Sequence, residues 1–311
     1  MARRDAPLPP AWKTKLNQAG KSFDWRSAFG LARRDDWAGT LLRSSPPSSH
    51  EAKVRRFFKN RKVVRPSRVS AQPVQPVFIC FTQRSGSSLL AELLASTGEL
   101  PQAKGNFSWQ VIVKHSKRNK YGSFEQYCAS LVWLRRGNGF FACKASAAQL
   151  SFLTKEKLIP KVFAAPRFIH LRRRDVLAQA ISFVIARQTG QWNIRKQVKA
   201  EEPVYDAAAI AARVRAIAAA NAWFEDYFAL FGFPVFEVVY EDLAADPAAT
   251  ISDITEWLGL GPSQIDRERT SLKPQRNALN DEWRSRFLDE SRQYFGGSGE
   301  LGVAAAPVSR R

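Results

Sequence analysis

One junction constrains this chain more than any other. The run VFICFT (77–82) is short, apolar and rich in β-branched and aromatic residues; it passes through QRSGSS into LLAELLAST, where apolar residues recur at helical spacing. Continuous apolarity over five residues, Val77 to Phe81, suits a strand buried on both faces, and the Ser/Gly segment suits a tight loop opening a helix. The pattern recurs: GFFACK (139–144), RFIHLR (167–172) and PVFEVVY (234–240) read as further buried strands. Helices are expected near 123–135, 146–158 and 175–189, over 206–231 and over 248–258, with EDLAADP as a turn. Within 206–231, Ile210, Val214, Ile217, Phe224, Phe228 and Phe231 share one face. Asn221 falls in that stripe, as a satisfied core amide or a ligand contact. Such alternation predicts an α/β fold, a parallel sheet with helices on both faces. No internal repeat is visible.

Charge divides the chain unevenly. Its 311 residues carry a net +20, and residues 1–75 hold 17 Lys and Arg against 5 Asp and Glu, a balance of +12. That arm, with PLPP, SSPPSS and KVRRFFKNRKVVRPSR, is Pro-, Ser- and Arg-rich, so it is expected to be mostly disordered, with a short basic helix near 51–63. Trp12, Trp25 and Trp37 are candidate anchors to a membrane surface or a partner. The folded domain is expected over 76–295, with a flexible tail at 296–311. No window is long and apolar enough to span a membrane, and MARRDAPLPP leads into no apolar signal core. Cys80, Cys128 and Cys143 are unclustered and lack histidine partners, so they suit buried thiols in a reducing compartment rather than zinc ligands. These features point to a cytoplasmic protein, with the basic arm able to hold it at the inner membrane face, and to an anionic ligand.

The loop QRSGSS is the candidate place for that ligand, the alternative being an ordinary cap and turn. At the join of a strand end and a helix N-terminus, unpaired N–H groups and the helix dipole favour a phosphate. Gly86 allows close backbone approach, Ser85, Ser87 and Ser88 offer hydroxyls, and Arg84 offers a guanidinium. The G-x-x-x-x-G-K-[ST] pattern is absent, with no lysine in the loop and no acidic strand end to hold magnesium, which disfavours a nucleoside-triphosphatase or a kinase. A second cluster, Arg172, Arg173 and Arg174, ends another strand before a helix bearing Ser182. It is either an anion site or a solvated cluster paired with Asp175.

Together F-T-Q-R-S-G-S-S-L-L, R-D-V-L-A-Q-A-I-S with Arg174 and Ser182 eight apart, R-Q-T-G-Q-W (187–192), Y-E-D-L-A-A-D-P (240–247) and N-D-E-W (280–283) resemble the Stf0-type bacterial sulfotransferases over about 76–290. The resemblance implies a fold related to P-loop kinases and 3′-phosphoadenosine 5′-phosphosulfate as sulfuryl donor, with no metal. It implies that loop 84–88 holds the 5′-phosphosulfate and that Arg174 with Ser182 holds the 3′-phosphate. It also implies a saccharide or glycolipid acceptor and, by analogy, a homodimer.

Two departures stand out. Gln83 replaces the family's usual proline, and Lys104 and Gly105 stand where the family carries the glutamate proposed as general base. Arg84 and Lys104 are then the candidate neutralising cations, and Glu99, His115 and His170 the replacement bases, each with a plain surface or packing alternative. Gln188 and Trp192 are candidates for the acceptor cleft, Lys144 and Arg276 for the crevice, and Glu241 with Asp242 for caps of the 248–258 helix. The competing function is a non-catalytic nucleotide- or polyanion-binding protein on the same scaffold; no nucleic-acid-binding motif is present.

Overall fold

Four strands, β1 (Gln75–Phe81), β2 (Phe140–Ala145), β3 (Arg167–Arg172) and β4 (Val235–Val239), pair in parallel in the order β2-β1-β3-β4. The computed structural model describes residues 49–62, 74–192, 202–266 and 278–294, all within one unit, Ser45–Arg311. The helices are α1 (Ser49–Phe58), α2 (Ser87–Ser96), α3 (Trp109–Asn119), α4 (Phe124–Arg135), α5 (Ala147–Lys155), α6 (Leu158–Lys161), α7 (Val176–Thr189), α8 (Ala207–Phe231), α9 (Tyr240–Ala245), α10 (Pro247–Trp257) and α11 (Ala278–Tyr294). The chain leaves β1 for β2 on one side, then returns past β1 to β3. The strand order therefore reverses between β1 and β3, which opens a crevice beyond their C-terminal ends.

Strand alternation divides the core into two layers. Phe78, Cys80, Phe141, Cys143 and Phe168 face one way, toward α4, α5 and the C-terminal half of α8. Val77, Ile79, Ala142, Ile169 and Leu171 face the other, toward α2, α9 and α10. Phe168 sits among Phe78, Phe228 and Phe233 at ring-centroid distances of 5.5, 5.2 and 5.0 Å. A third cluster joins α7, the first half of α8 and α11 around Ile181, Ile217 and Trp283. The three cysteines are buried free thiols.

Several expectations are corrected. The short helix expected near 51–63 is present over 49–58, but it packs on the domain instead of belonging to a free arm: Val54 is buried and the buried Glu51 binds Lys155 of α5 at 3.2 Å. An apolar residue and a desolvated ion pair tie this stretch to the domain in spite of its polar composition. The stretch 109–119 is a helix although its basic residues read as a loop; Ile112 and Ser116 face inward. EDLAADP is not a turn, because Tyr240–Ala245 is helical. The cap of α10 is Asp246, whose side chain accepts from Ala249 N–H, and not Glu241 or Asp242. Asn221 Oδ1 is buried without a hydrogen-bond partner, so the amide is not the fully satisfied core group expected. Trp12, Trp25, Trp37 and Arg276 lie outside the described residues. No described helix is long and apolar enough to cross a membrane.

Phe168→Ala should cost about 3–5 kcal/mol, because it opens a cavity between both strands and α8. A lowered urea midpoint with an unchanged m value would show it; a loss below about 1 kcal/mol would mean that the aromatic cluster is not the centre of the core.

Candidate functional site

The loop after β1 is built from strained backbone. Arg84 and Gly86 both have positive φ, 69° and 92°, on either side of Ser85, and this alternation of hand curls the N–H groups into a concave nest. Gly86 is required: a Cβ there would lie 2.3 Å from Cδ2 of Tyr240, whose ring closes over the loop. Gly86 also caps α2 without a side-chain hydrogen bond, and no acidic residue occupies the first turn. The N–H groups at the start of α2 thus lack a side-chain acceptor. Ser85 is fully buried, and its Oγ is without a partner. A strained non-glycine residue beside an unpartnered buried hydroxyl makes this loop a candidate ligand site. Gln179 of α7 fixes the start of the loop, donating Nε2 to Thr82 Oγ1 and to the Gln83 carbonyl, both at 2.8 Å.

The arginine turn after β3 lies next to this loop. Arg173 donates to the Arg84 carbonyl at 3.5 Å, and its guanidinium stands 4.8 Å from the centre of the Tyr240 ring. Glu241 organises the turn by accepting from the Arg174 and Asp175 N–H groups at 3.0 and 3.3 Å. Arg174 is bound to both oxygens of Asp242 at 2.8 and 2.6 Å, an exposed pair. Arg172 pairs away from the crevice, with Glu225 and Glu237. Asp175, the arginines' partner on the solvated-cluster alternative, instead caps α7 through Ala178 N–H and takes its ion-pair contacts from Arg284 of α11, at 2.7 and 2.8 Å. Burial pushes the Asp175 carboxyl up, but the Ala178 N–H and Arg284 together outweigh it and hold the group below its ordinary value.

Arg84 itself turns toward α7, donating Nε to Ser182 Oγ at 3.0 Å and Nη1 to the Trp192 carbonyl at 2.6 Å. Ser182 therefore meets Arg84 rather than Arg174. Burial, then the nearby Arg173, pushes the Arg84 guanidinium down from its ordinary range. Trp192 is 40% exposed and meets Phe183 edge-on at 5.5 Å. Gln188 lines a cavity of about 600 Å³ between α7 and α8, with Phe183, Arg187, Asp206 and Arg213. Its amide is already used, clasping the Val204 carbonyl and N–H at 2.8 and 2.7 Å. Gln83 accepts from Arg213 at 2.6 Å and so links the loop to this cavity.

Lys104 is exposed at the outer edge of β2, bridged to Cys143. Lys144 reaches further: its Nζ donates to Ser88 Oγ at 3.0 Å in the first turn of α2. That contact joins residues 56 apart in sequence, and a lysine closing a buried strand was its one sequence signal. Glu99 is not brought to the site. It follows the C-terminal end of α2, about 15 Å from the loop by helix rise, where Asn138 at the opening of β2 binds its carbonyl. His115 lies on α3, where burial and the neighbouring cations Arg135, Lys114 and Arg118 lower its pKa. His170 is buried in β3 against Glu237 and the Phe224 and Phe228 rings. No group of three or more acidic, His or Cys side chains suited to a metal occurs among the described residues.

Comparison with known proteins matches residues 77–290 to the Stf0 sulphotransferase family profile. The chain is 26% identical over 268 residues to trehalose 2-sulfotransferase of Mycobacterium tuberculosis, spanning 71% of this chain and 97% of that one. Among solved structures, the sulfotransferase domain of the Synechococcus PCC 7002 olefin synthase matches with a TM-score of 0.42 at 16% identity, over 77% of this chain and 100% of that domain. The sulfotransferase domain of the curacin biosynthetic pathway matches with a TM-score of 0.43 at 14% identity, over 70% and 99%.

Gly86→Ala should lower stability both by left-handed strain, about 1–2 kcal/mol, and by collision with Tyr240. In a Tyr240→Ala background only the strain should persist, so thermal unfolding should show a smaller loss there; equal losses in both backgrounds would mean that Tyr240 does not close the loop. Asp175 has a depressed folded-state pKa, so its contribution is present above the unfolded value near 3.9 and is lost as pH falls through the folded one. Denaturation between pH 6 and 2 should therefore show a shallower acid decline for Asp175→Asn than for the parent; parallel declines would count against the Arg284 brace.

Proposed function

Since the chain belongs to the Stf0 sulphotransferase family and is thus a sulfotransferase, we propose that its donor is 3′-phosphoadenosine 5′-phosphosulfate and its acceptor a saccharide hydroxyl. The observation that carries this reading is the adjacency of two basic turns at the strand-order reversal: the nest at 84–88 after β1 and the arginines after β3, in contact through Arg173 and the Arg84 carbonyl. A nucleotide with anionic groups at both its 3′ and 5′ positions needs two such turns. The unpartnered Ser85 hydroxyl and the uncapped start of α2 fit the 5′-phosphosulfate end. Arg174 and Ser182 fit the 3′-phosphate once Arg174 leaves Asp242 and Arg84 leaves Ser182. An exposed ion pair such as Arg174–Asp242 is worth about 0–1 kcal/mol, whereas a charge-assisted bond to phosphate is worth about 1.5–3 kcal/mol, so the exchange favours the ligand.

The donor supplies an activated sulfuryl group. The protein's part is to position it in line with the acceptor and to neutralise its oxygens, as in phosphoryl transfer. With Lys104 and Gly105 where the family carries a glutamate, and Glu99 at the far end of α2, a proton-accepting side chain worth about 10²- to 10⁴-fold is not supplied from those positions. An acceptor hydroxyl more acidic than an ordinary alcohol fits that arrangement. On this reading the acceptor lies beside Trp192 and the open groove lined by Gln188, whose volume of about 600 Å³ supports a small saccharide. The name of the mycobacterial relative makes trehalose the first sugar to try.

Calorimetric titration should show 3′-phosphoadenosine 5′-phosphate binding at least ten-fold more tightly than adenosine 5′-phosphate or ATP, and Arg174→Ala should abolish that preference. Equal affinities would overturn the donor assignment. Transfer of labelled sulfate to trehalose and other sugars then separates an enzyme from a binding protein on the same scaffold.

A further inference from the structure

Helices α7 and α8 leave a groove open beside the nest. Phe183 and Arg187 on α7, and Ala209, Arg213 and Ala216 on α8, recur at three- and four-residue steps and line it. The alanines keep the α8 wall low, so a space of about 600 Å³ persists although Ile181, Ile210 and Ile217 pack the same two helices together.

Within that groove the guanidinium of Arg213 is held in place but not neutralised. It stands 3.7 Å from the centre of the Phe183 ring, and Nη2 donates to Gln83 Oε1, a neutral amide, at 2.6 Å. Its Nε is buried without a hydrogen-bond partner. Burial pushes the group down to about 10, and no carboxylate among the described residues pulls it back. The acid lining the groove, Asp206, accepts from Ala209 N–H as the cap of α8. Arg187 adds a second, exposed positive charge. A desolvated charge without a counter-ion is costly, and a planar fork with a donor to spare matches an anion with two or more oxygens.

The groove also adjoins the loop after β1. Gln83, which Arg213 binds, immediately precedes Arg84; Arg84 donates to the Trp192 carbonyl, and Trp192 meets Phe183 edge-on beneath Arg213. These contacts close a ring of side chains shared by loop and groove. A molecule seated on Phe183 and the alanines, with its charge at Arg213, is a neighbour of the nest.

We propose that the groove takes an acceptor that is itself anionic, a sugar bearing a carboxylate or a phosphate, and that Arg213 recognises that group. The inference rests on the acceptor placement given above and narrows it from saccharides in general to charged ones.

The test uses the full chain saturated with 3′-phosphoadenosine 5′-phosphate, so that the nest is filled, and titrates it with glucose, glucuronate and glucose 6-phosphate. At least one charged sugar should bind about ten-fold or more tightly than glucose, the gain expected of one charge-assisted hydrogen bond, and the two arms tell carboxylate from phosphate. Arg213→Gln should remove that preference and Arg213→Lys keep part of it. Gln83→Ala, which severs the same link to the loop but leaves the guanidinium, should retain it. Thermal melts identify a variant that fails to fold. A preference that survives Arg213→Gln means that the anion is held elsewhere on this basic chain. A preference lost equally in Gln83→Ala means that Arg213 only braces the loop, and glucose binding as tightly as both charged sugars means that the groove reads no charge. Each of these three results overturns the assignment of Arg213. If the loaded protein binds no sugar, neutral or charged, the acceptor placement itself has failed, which is distinct from all three.

Discussion

The parallel pairing of β1 with β3 sets two positively charged turns side by side, and much of the surrounding structure makes that juxtaposition tolerable. Val77 to Phe81 run in register with Arg167 to Leu171, so the chain emerges from both strands at one level. Arg173 donates to the Arg84 carbonyl there, while the two guanidinium charges themselves repel. Three devices oppose this. Tyr240 lies over Gly86 and beneath Arg173, Glu241 holds the N–H groups of the arginine turn, and Asp242 and Ser182 take up the guanidinium groups of Arg174 and Arg84. Tyr240, Glu241 and Asp242 are consecutive residues at the start of α9, directly after β4. A single short helix therefore closes one turn and balances the charge of the other.

What sequence could reveal follows from which interactions are local. The strands were legible because each is a short apolar run, and RFIHLR coincides with β3 from end to end. Helix α8 was legible from periodicity, with Ile210, Ile217, Phe224 and Phe228 all buried as expected. The loop 84–88 could be placed because a strand end, a glycine and a helix start are adjacent in the chain. Helix α3 escaped because its inward face is only Ile112 and Ser116, too little to rise above a run of Lys, Arg and His. The partners of the arginines escaped for a different reason. Asp175 is next to Arg174 in sequence, yet its carboxylate serves a helix cap and Arg284, while Arg174 binds a residue 68 positions away.

Side-chain roles were the least legible feature. Gln188 lines the cavity but is occupied in clasping Val204, and no pattern in 187–192 distinguishes the two uses. Lys144 ends an apolar strand, where a lysine is commonly a solvated terminus; only the β1–β2 register shows that its stem leads to Ser88. Glu99 is near the loop in number yet far in space, because the ten-residue helix α2 runs away from the nest.

The brace from Arg284 to Asp175 has a consequence for how the molecule comes into being. Ribosomal synthesis delivers residues in order, and the two partners are 109 positions apart. Sheet, nest and arginine turn can all emerge while α11 is still untranslated, leaving the cap of α7 without its counter-ion. The turn that opens α7 is thus braced by a helix synthesised 109 residues later, so a chain cut between α10 and α11 would keep the loops after β1 and β3 and still lack the strut that steadies the second.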